Sequence, residues 1–104
     1  MNKYRARKTE YGGKVFDSAK EARRYAELEL LQKAGQISGL VWQPEFPLIV
    51  NSKLVCKYRG DASYFENRSY VVEDTKSVAT KTPAYRIKRK LFMALHPNVE
   101  HREV

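Results

Sequence analysis

The sequence predicts one mixed α/β domain, on three observations. A helical spacing begins after residue 17, a β-branched and aromatic stretch fills residues 36–77, and a second helical spacing opens on Thr82-Pro83. The predicted order is helix, three strands, helix, strand. The 104 residues suit a single domain, and no repeat, low-complexity tract or internal linker divides them. At 42% hydrophobic, with seven Tyr, four Phe and one Trp, the chain has the material for a core. A domain this small buries only about 60–70% of its unfolded surface, so its margin of stability is thin and a homodimer is expected.

Residues 1–13 read as a basic arm, with Lys3, Arg5, Arg7, Lys8 and a Gly12-Gly13 turn, ahead of a domain over 14–104 that starts with a short extended piece at Val15-Phe16. The segment DSAKEARRYAELELLQKAG carries apolar residues at 19, 22, 25, 26, 28, 30 and 31, which predicts an amphipathic helix over about 18–34 stopped by Gly35. Three strands follow near 40–50, 54–65 and 69–76, with turns at Asn51-Ser52 and Glu66-Asn67. Pro44 and Pro47 cannot donate to a ladder, so the first of these strands is expected at an edge or with a bulge. Thr82 caps a second helix with Pro83 in its first position, and Ile87, Leu91, Phe92 and Leu95 form its core-facing stripe until Pro97 stops it. Asn98 to Val104 are expected as a final strand.

Twenty Lys and Arg against twelve Asp and Glu give a formal charge of +8 and a pI near 9.7. Such a surplus points to polyanionic partners, nucleic acid first. Cys56 is the single cysteine, which excludes an internal disulfide and a zinc cluster built on thiolates. No apolar run approaches the ~20 residues that span a bilayer, and MNKYRARKTEYGG lacks the apolar segment of a signal peptide, so a cytoplasmic protein is expected.

Three acids stand where a core pattern would not place them. Asp61 interrupts the aromatic segment YRGDASYF, either as an exposed residue beside Arg59 or as a functional carboxylate. In SYVVEDTKS the period of two sends Val72, Asp74 and Lys76 to one face and Val71, Glu73 and Thr75 to the other. Asp74 and Lys76 could form a surface ion pair contributing at most ~1 kcal/mol. Glu21 lies one turn into the first helix, in line with Tyr25 and Leu28, where Ser18-x-x-Glu21 also reads as a capping box. Together, two acids at the ends of adjacent strands, a Lys two residues after the second, and a Glu on the preceding helix suit metal-assisted phosphodiester hydrolysis. Hard divalent cations take carboxylate oxygens, and a lysine can orient the attacking water or stabilise the phosphate.

On these residues the chain resembles the PD-(D/E)XK nuclease superfamily, with Asp61 in YRGDASYF as the first acid and Asp74-x-Lys76 in VVEDTKS as the second motif. FDSAKEARRYAELELL, WQPEFPL and YRIKRKLF add a likeness to a small phage and prophage family near phage Holliday junction resolvases and transposon-end nucleases. The resemblance covers about residues 14–104. It implies a restriction-endonuclease-like core, a mixed sheet flanked by helices. It also implies a phage-encoded, Mg2+- or Mn2+-dependent DNA endonuclease without organic cofactor, acting on branched recombination intermediates in a bacterial host. Glu21, Asp61 and Asp74 would then ligate metal, and Lys76 would join them in catalysis. Gly60 stands where the motif usually has Pro, Glu73 is an alternative to Asp74, and Gln43 and Glu45 are auxiliary candidates. Asp74 is preferred because it shares a strand face with Lys76.

Lys81, Tyr85, Arg86, Lys88, Arg89 and Lys90 cluster at the start of the second helix, with no acid between Lys76 and Lys90. A helix N-terminus with basic side chains seats phosphate, so Lys81, Tyr85, Arg86, Lys88 and Arg89, with Arg59, are candidate DNA contacts. The plainer alternative is a solvated basic face. His96 and His101 lack partners in the sequence pattern and carry no expected role. A DNA-binding protein without catalysis is the rival expectation.

Overall fold

The computed structural model describes residues 8–104. Lys3, Arg5 and Arg7 of the expected arm lie outside the described residues. From Thr9 the expected arm is already a strand: Thr9–Tyr11 (β1) pairs with Lys14–Phe16 (β2) across the predicted 13/14 boundary. Gly12 and Gly13 both take positive φ, 58° and 78°, the backbone twist that a two-residue hairpin turn requires.

The first helix, Ala19–Lys33 (α1), begins after Ser18, whose side chain accepts from the Glu21 N–H at 3.1 Å. Its buried face is Ala22, Tyr25 and Leu28, at the three-residue spacing of a helix stripe.

Five strands follow where three were expected: Ser38–Trp42 (β3), Glu45–Val50 (β4), Lys53–Arg59 (β5), Ala62–Glu66 (β6) and Ser69–Asp74 (β7). The apolar alternation runs on through two corners that tertiary contacts impose. At the first, Gln43 takes φ 51° before Pro44, and its N–H donates to the Asp61 carbonyl at 3.0 Å. At the second, the Gly60 N–H donates to the Pro44 carbonyl at 3.0 Å, so each corner pins the other. Gly60 is fixed by space, since a Cβ there would stand 2.8 Å from Cγ1 of Val72. β4 and β5 therefore leave the main sheet as a separate two-stranded ribbon.

The main sheet has the order β3-β6-β7 and then Val99–Glu103 (β8). β3, β6 and β7 are antiparallel neighbours. β8 lies parallel to β7 after a crossover through Pro83–Leu95 (α2), as a parallel connection demands. The proline-flanked strand β3 is at the edge and its register shifts between Ser38 and Val41. Two further two-residue turns have positive φ at both positions, Asn51-Ser52 and Asn67-Arg68, the second one residue later than predicted.

The sheet separates two cores. Phe16, Tyr25, Leu28, Ile37, Ala62, Tyr64 and Val71 pack on the α1 side. Leu48, Tyr58, Val72 and Phe92 pack between the sheet, the ribbon and α2. Ile87 drops out of the predicted stripe at 67% exposed. It precedes the buried Phe92 by five residues, which at about 100° per residue turns it about 140° away. β7 is covered on both faces, so its alternation assigns Val71 and Glu73 to α1 and Val72 and Asp74 to α2.

Candidate active site

Glu21 in the first turn of α1 and Asp61 at the entry to β6 meet in a cleft that Arg24, Gln43, Glu73 and Thr75 also line. Asp61 is held by the backbone: its carboxylate accepts the Thr75 N–H at 2.6 Å, and its own N–H donates to the Glu73 carbonyl at 2.9 Å. Burial pushes the Asp61 carboxyl up, against the pull of the Thr75 N–H, Lys76 and Arg59. Glu21 is pushed up to about 7, first by burial and then by the negative charges of Asp61 and Asp17. A carboxyl whose proton affinity is raised by a neighbouring carboxylate favours any cation that can replace the proton.

The two acids on β7 go to opposite faces. Glu73 turns to the cleft side, where Arg24 clamps it with both guanidinium nitrogens, Nε to Oε1 at 2.9 Å and Nη2 to Oε2 at 2.8 Å. Tyr64 donates a third bond to it, and burial together with Glu73 pushes the Tyr64 hydroxyl up to about 12. Glu73 is thus a neutralised buried charge in the wall of the cleft. Asp74 faces α2, accepts from the Tyr58 hydroxyl and lies 3.2 Å from His101 Nε2. Arg89 Nε donates to His101 Nδ1 at 3.0 Å; a guanidinium only donates, so Nδ1 is bare and Nε2 carries the proton, facing the Tyr58 hydroxyl oxygen at 2.6 Å and the Asp74 carboxylate beyond it.

The expected set of Glu21, Asp61 and Asp74 is therefore not assembled: the first two come together, and Asp74 is drawn into the second core by Tyr58 and His101. Lys76 bridges the two sides. Its Nζ sits 4.5 Å over the Tyr85 ring, while its charge lowers the proton affinity of both Glu21 and Asp61. The sequence pattern gives His101 no role because its contact with Asp74 exists only once β8 pairs with β7, Val72 opposite His101.

Among the described residues, no three His, Cys, Asp or Glu side chains stand close enough to ligate one ion. The Glu21 and Asp61 pair does fit a hard divalent cation of the magnesium type, which is commonly held by one or two carboxylates with water and substrate phosphates completing its shell.

A family model described as Protein of unknown function (DUF1064) matches residues 1–104. The chain belongs to this family. No curated protein and no solved structure gives a significant match to it. Among the described residues of this DUF1064 chain, no helix is long and apolar enough to cross a membrane.

The basic residues singled out in the sequence divide into two groups. Lys81 pairs with Glu103 at 3.2 Å, Arg89 is 3.9 Å from the same carboxylate, and Arg86 Nε donates to the Lys81 carbonyl. Tyr85 also donates to Glu103 at 2.8 Å; burial and that carboxylate hold its hydroxyl well above the usual range. Arg59 and Lys88 instead line an open depression with Lys57, Tyr58 and the first residues of α2. Of the auxiliary candidates, Gln43 lines the cleft, and Glu45 stands on β4 opposite Arg59.

Proposed function

We propose that the chain is a divalent-metal-dependent DNA endonuclease with a restriction-endonuclease-like core. One observation carries this reading: Glu21 and Asp61, from a helix and a strand end 40 residues apart in sequence, converge with Lys76 acting on both. The element order agrees with it, since α1, β3, β6, β7, α2 and β8 follow the helix, three strands, helix, strand succession once the β4–β5 ribbon is set aside as an insertion.

Glu21 and Asp61 are the residues that would hold Mg2+ or Mn2+, which when bound lowers the pKa of a water and offsets phosphate charge. The Thr75 N–H fixes the Asp61 carboxylate, and the capped first turn of α1 carries Glu21 to it. Lys76, steadied over Tyr85, is placed to orient the water or the phosphate. Arg59 adds positive charge beside Asp61 for the approaching backbone. Asp74 joins this set only by leaving Tyr58 and His101. A homodimer acting on branched DNA in the cytoplasm of a phage's bacterial host is the biological setting that goes with this reading.

A DNA-binding protein without catalysis is the second reading, favoured by the engagement of both Glu73 and Asp74 in structural contacts. Incubating the purified chain with duplex, single-stranded and four-way DNA, in manganese or in chelator, separates the two. Manganese-dependent cleavage of any of these substrates supports the endonuclease; salt-sensitive binding without cleavage supports the rival.

A further inference from the structure

The β4–β5 ribbon contributes no residue to the carboxylate pair, yet its outer surface has the make-up of a binding arm. Leu48 and Tyr58 anchor its inner side in the core with Phe92. Toward its tip Ile49, Val50, Leu54 and Val55 are 49%, 37%, 57% and 58% exposed, and Ile49 pairs directly with Leu54. Lys53, Lys57 and Arg59 are exposed along β5, against a single acid, Glu45, on β4. Lys57 and Arg59 border the depression that Lys88 shares at the start of α2. Arg59 is two residues from Asp61 and its charge acts on that carboxylate, so a basic track leaves the cleft and follows β5 to the apolar tip.

We propose that this ribbon is a duplex-DNA arm that lies in the major groove to one side of the cleavage site, with Lys53 and Lys57 on phosphates and Ile49, Val50 and Leu54 against base edges. This rests on the endonuclease reading. The major groove, about 12 Å wide, admits a two-stranded ribbon whose strands are about 4.8 Å apart, and thymine methyl groups there offer apolar contact. Six residue steps from Arg59 to Lys53 at about 3.3 Å span about 20 Å, or about six base pairs. A second copy of the chain is the poorer occupant, because a two-fold contact through the ribbon would bring Lys53 and Lys57 of both copies into one basic interface.

The test uses the full chain carrying Asp61→Asn, so that bound DNA stays uncut, and a 30-base-pair duplex as probe. The dependence of log K on log salt should become shallower by about 1.8 in the Lys53→Ala/Lys57→Ala variant, two phosphate contacts at about 0.9 each. Protection of guanine N7 from dimethyl sulfate should extend about six base pairs to one side and shrink in that variant. Ile49→Ser/Leu54→Ser should lose the outermost protection with an unchanged salt slope. All four side chains are exposed, and matching circular dichroism spectra check that the variants fold. If Asp61→Asn binds duplex but both ribbon variants bind and protect like it, the arm is wrong while the endonuclease reading stands. If Asp61→Asn shows no salt-dependent duplex binding, the endonuclease reading fails first and the arm with it. Sedimentation that finds dimers dissociated by Ile49→Ser/Leu54→Ser, with protection unchanged, makes the tip a contact between copies and overturns the arm.

Discussion

Replacing Glu21 with Gln is expected to stabilise the metal-free protein at pH 8 and leave it almost unaltered at pH 4. In the fold the Glu21 carboxyl titrates at about 7, against 4.5 for an ordinary glutamate. Between those values the native chain holds a proton that the unfolded chain has released, so stability falls as pH rises through that window. The full shift would correspond to about 3.4 kcal/mol at 1.36 kcal/mol per pH unit. Glu21 is only half-buried, and solvent screening reduces the penalty to about 1–2 kcal/mol. For a domain of this size that is a rise of about 5–10 °C in Tm. Melting curves followed by circular dichroism at pH 4, 6 and 8 in chelator would measure it, and the difference between parent and variant isolates Glu21 from the other titrating groups. Manganese at ten times its Kd should then recover about 1.4 kcal/mol in the parent and much less in the variant. A parent that matches Glu21→Gln at every pH, with no response to manganese, would mean that Glu21 neither crowds Asp61 nor holds a cation with it.

Arg24→Met should destabilise the fold by about 3–5 kcal/mol, because it leaves the buried Glu73 carboxylate with only Tyr64, and adding Glu73→Gln should restore much of the loss in a chemical denaturation series. Arg68→Gly should raise stability by about 0.5–1 kcal/mol in the same measurement, since Arg68 sits at φ 69° in a turn that favours glycine; an unchanged midpoint would place no strain there. Glu73→Gln and Asp74→Asn should differ in cleavage assays. Loss of activity in Asp74→Asn alone would show that Asp74 leaves Tyr58 and His101 to serve the site, while loss in Glu73→Gln alone would place the chemistry on the α1 side.

Helices α1 and α2 and strand β8 could be read from sequence to within a residue or two because their limits are local: the Ser18 and Thr82 caps, Gly35, Pro97. The corners at Gln43-Pro44 and Gly60-Asp61 could not, because the apolar alternation continues through them and only their mutual hydrogen bonds bend the chain. The candidate site divides in the same way. Strand parity separates Val71, Glu73 and Thr75 from Val72, Asp74 and Lys76, but parity alone does not say which set meets α1. That depends on which side of the sheet each helix packs, a property of the whole topology. For the same reason the bond between Asp74 and His101 was invisible, since 27 residues and a helical crossover separate them.

The most direct measurement is manganese-dependent DNA cleavage by the parent and by Asp61→Asn under the same conditions, with binding followed in parallel. Asp61 is held in place by the Thr75 N–H, and Asn keeps its shape while removing the charge. A cleavage rate at least ~100-fold lower in Asp61→Asn, corresponding to about 3 kcal/mol of lost transition-state stabilisation, with DNA affinity retained, is the predicted result. Equal cleavage by both proteins, or none by the parent on any DNA in the presence of manganese, would contradict a metal-dependent endonuclease built on Glu21 and Asp61.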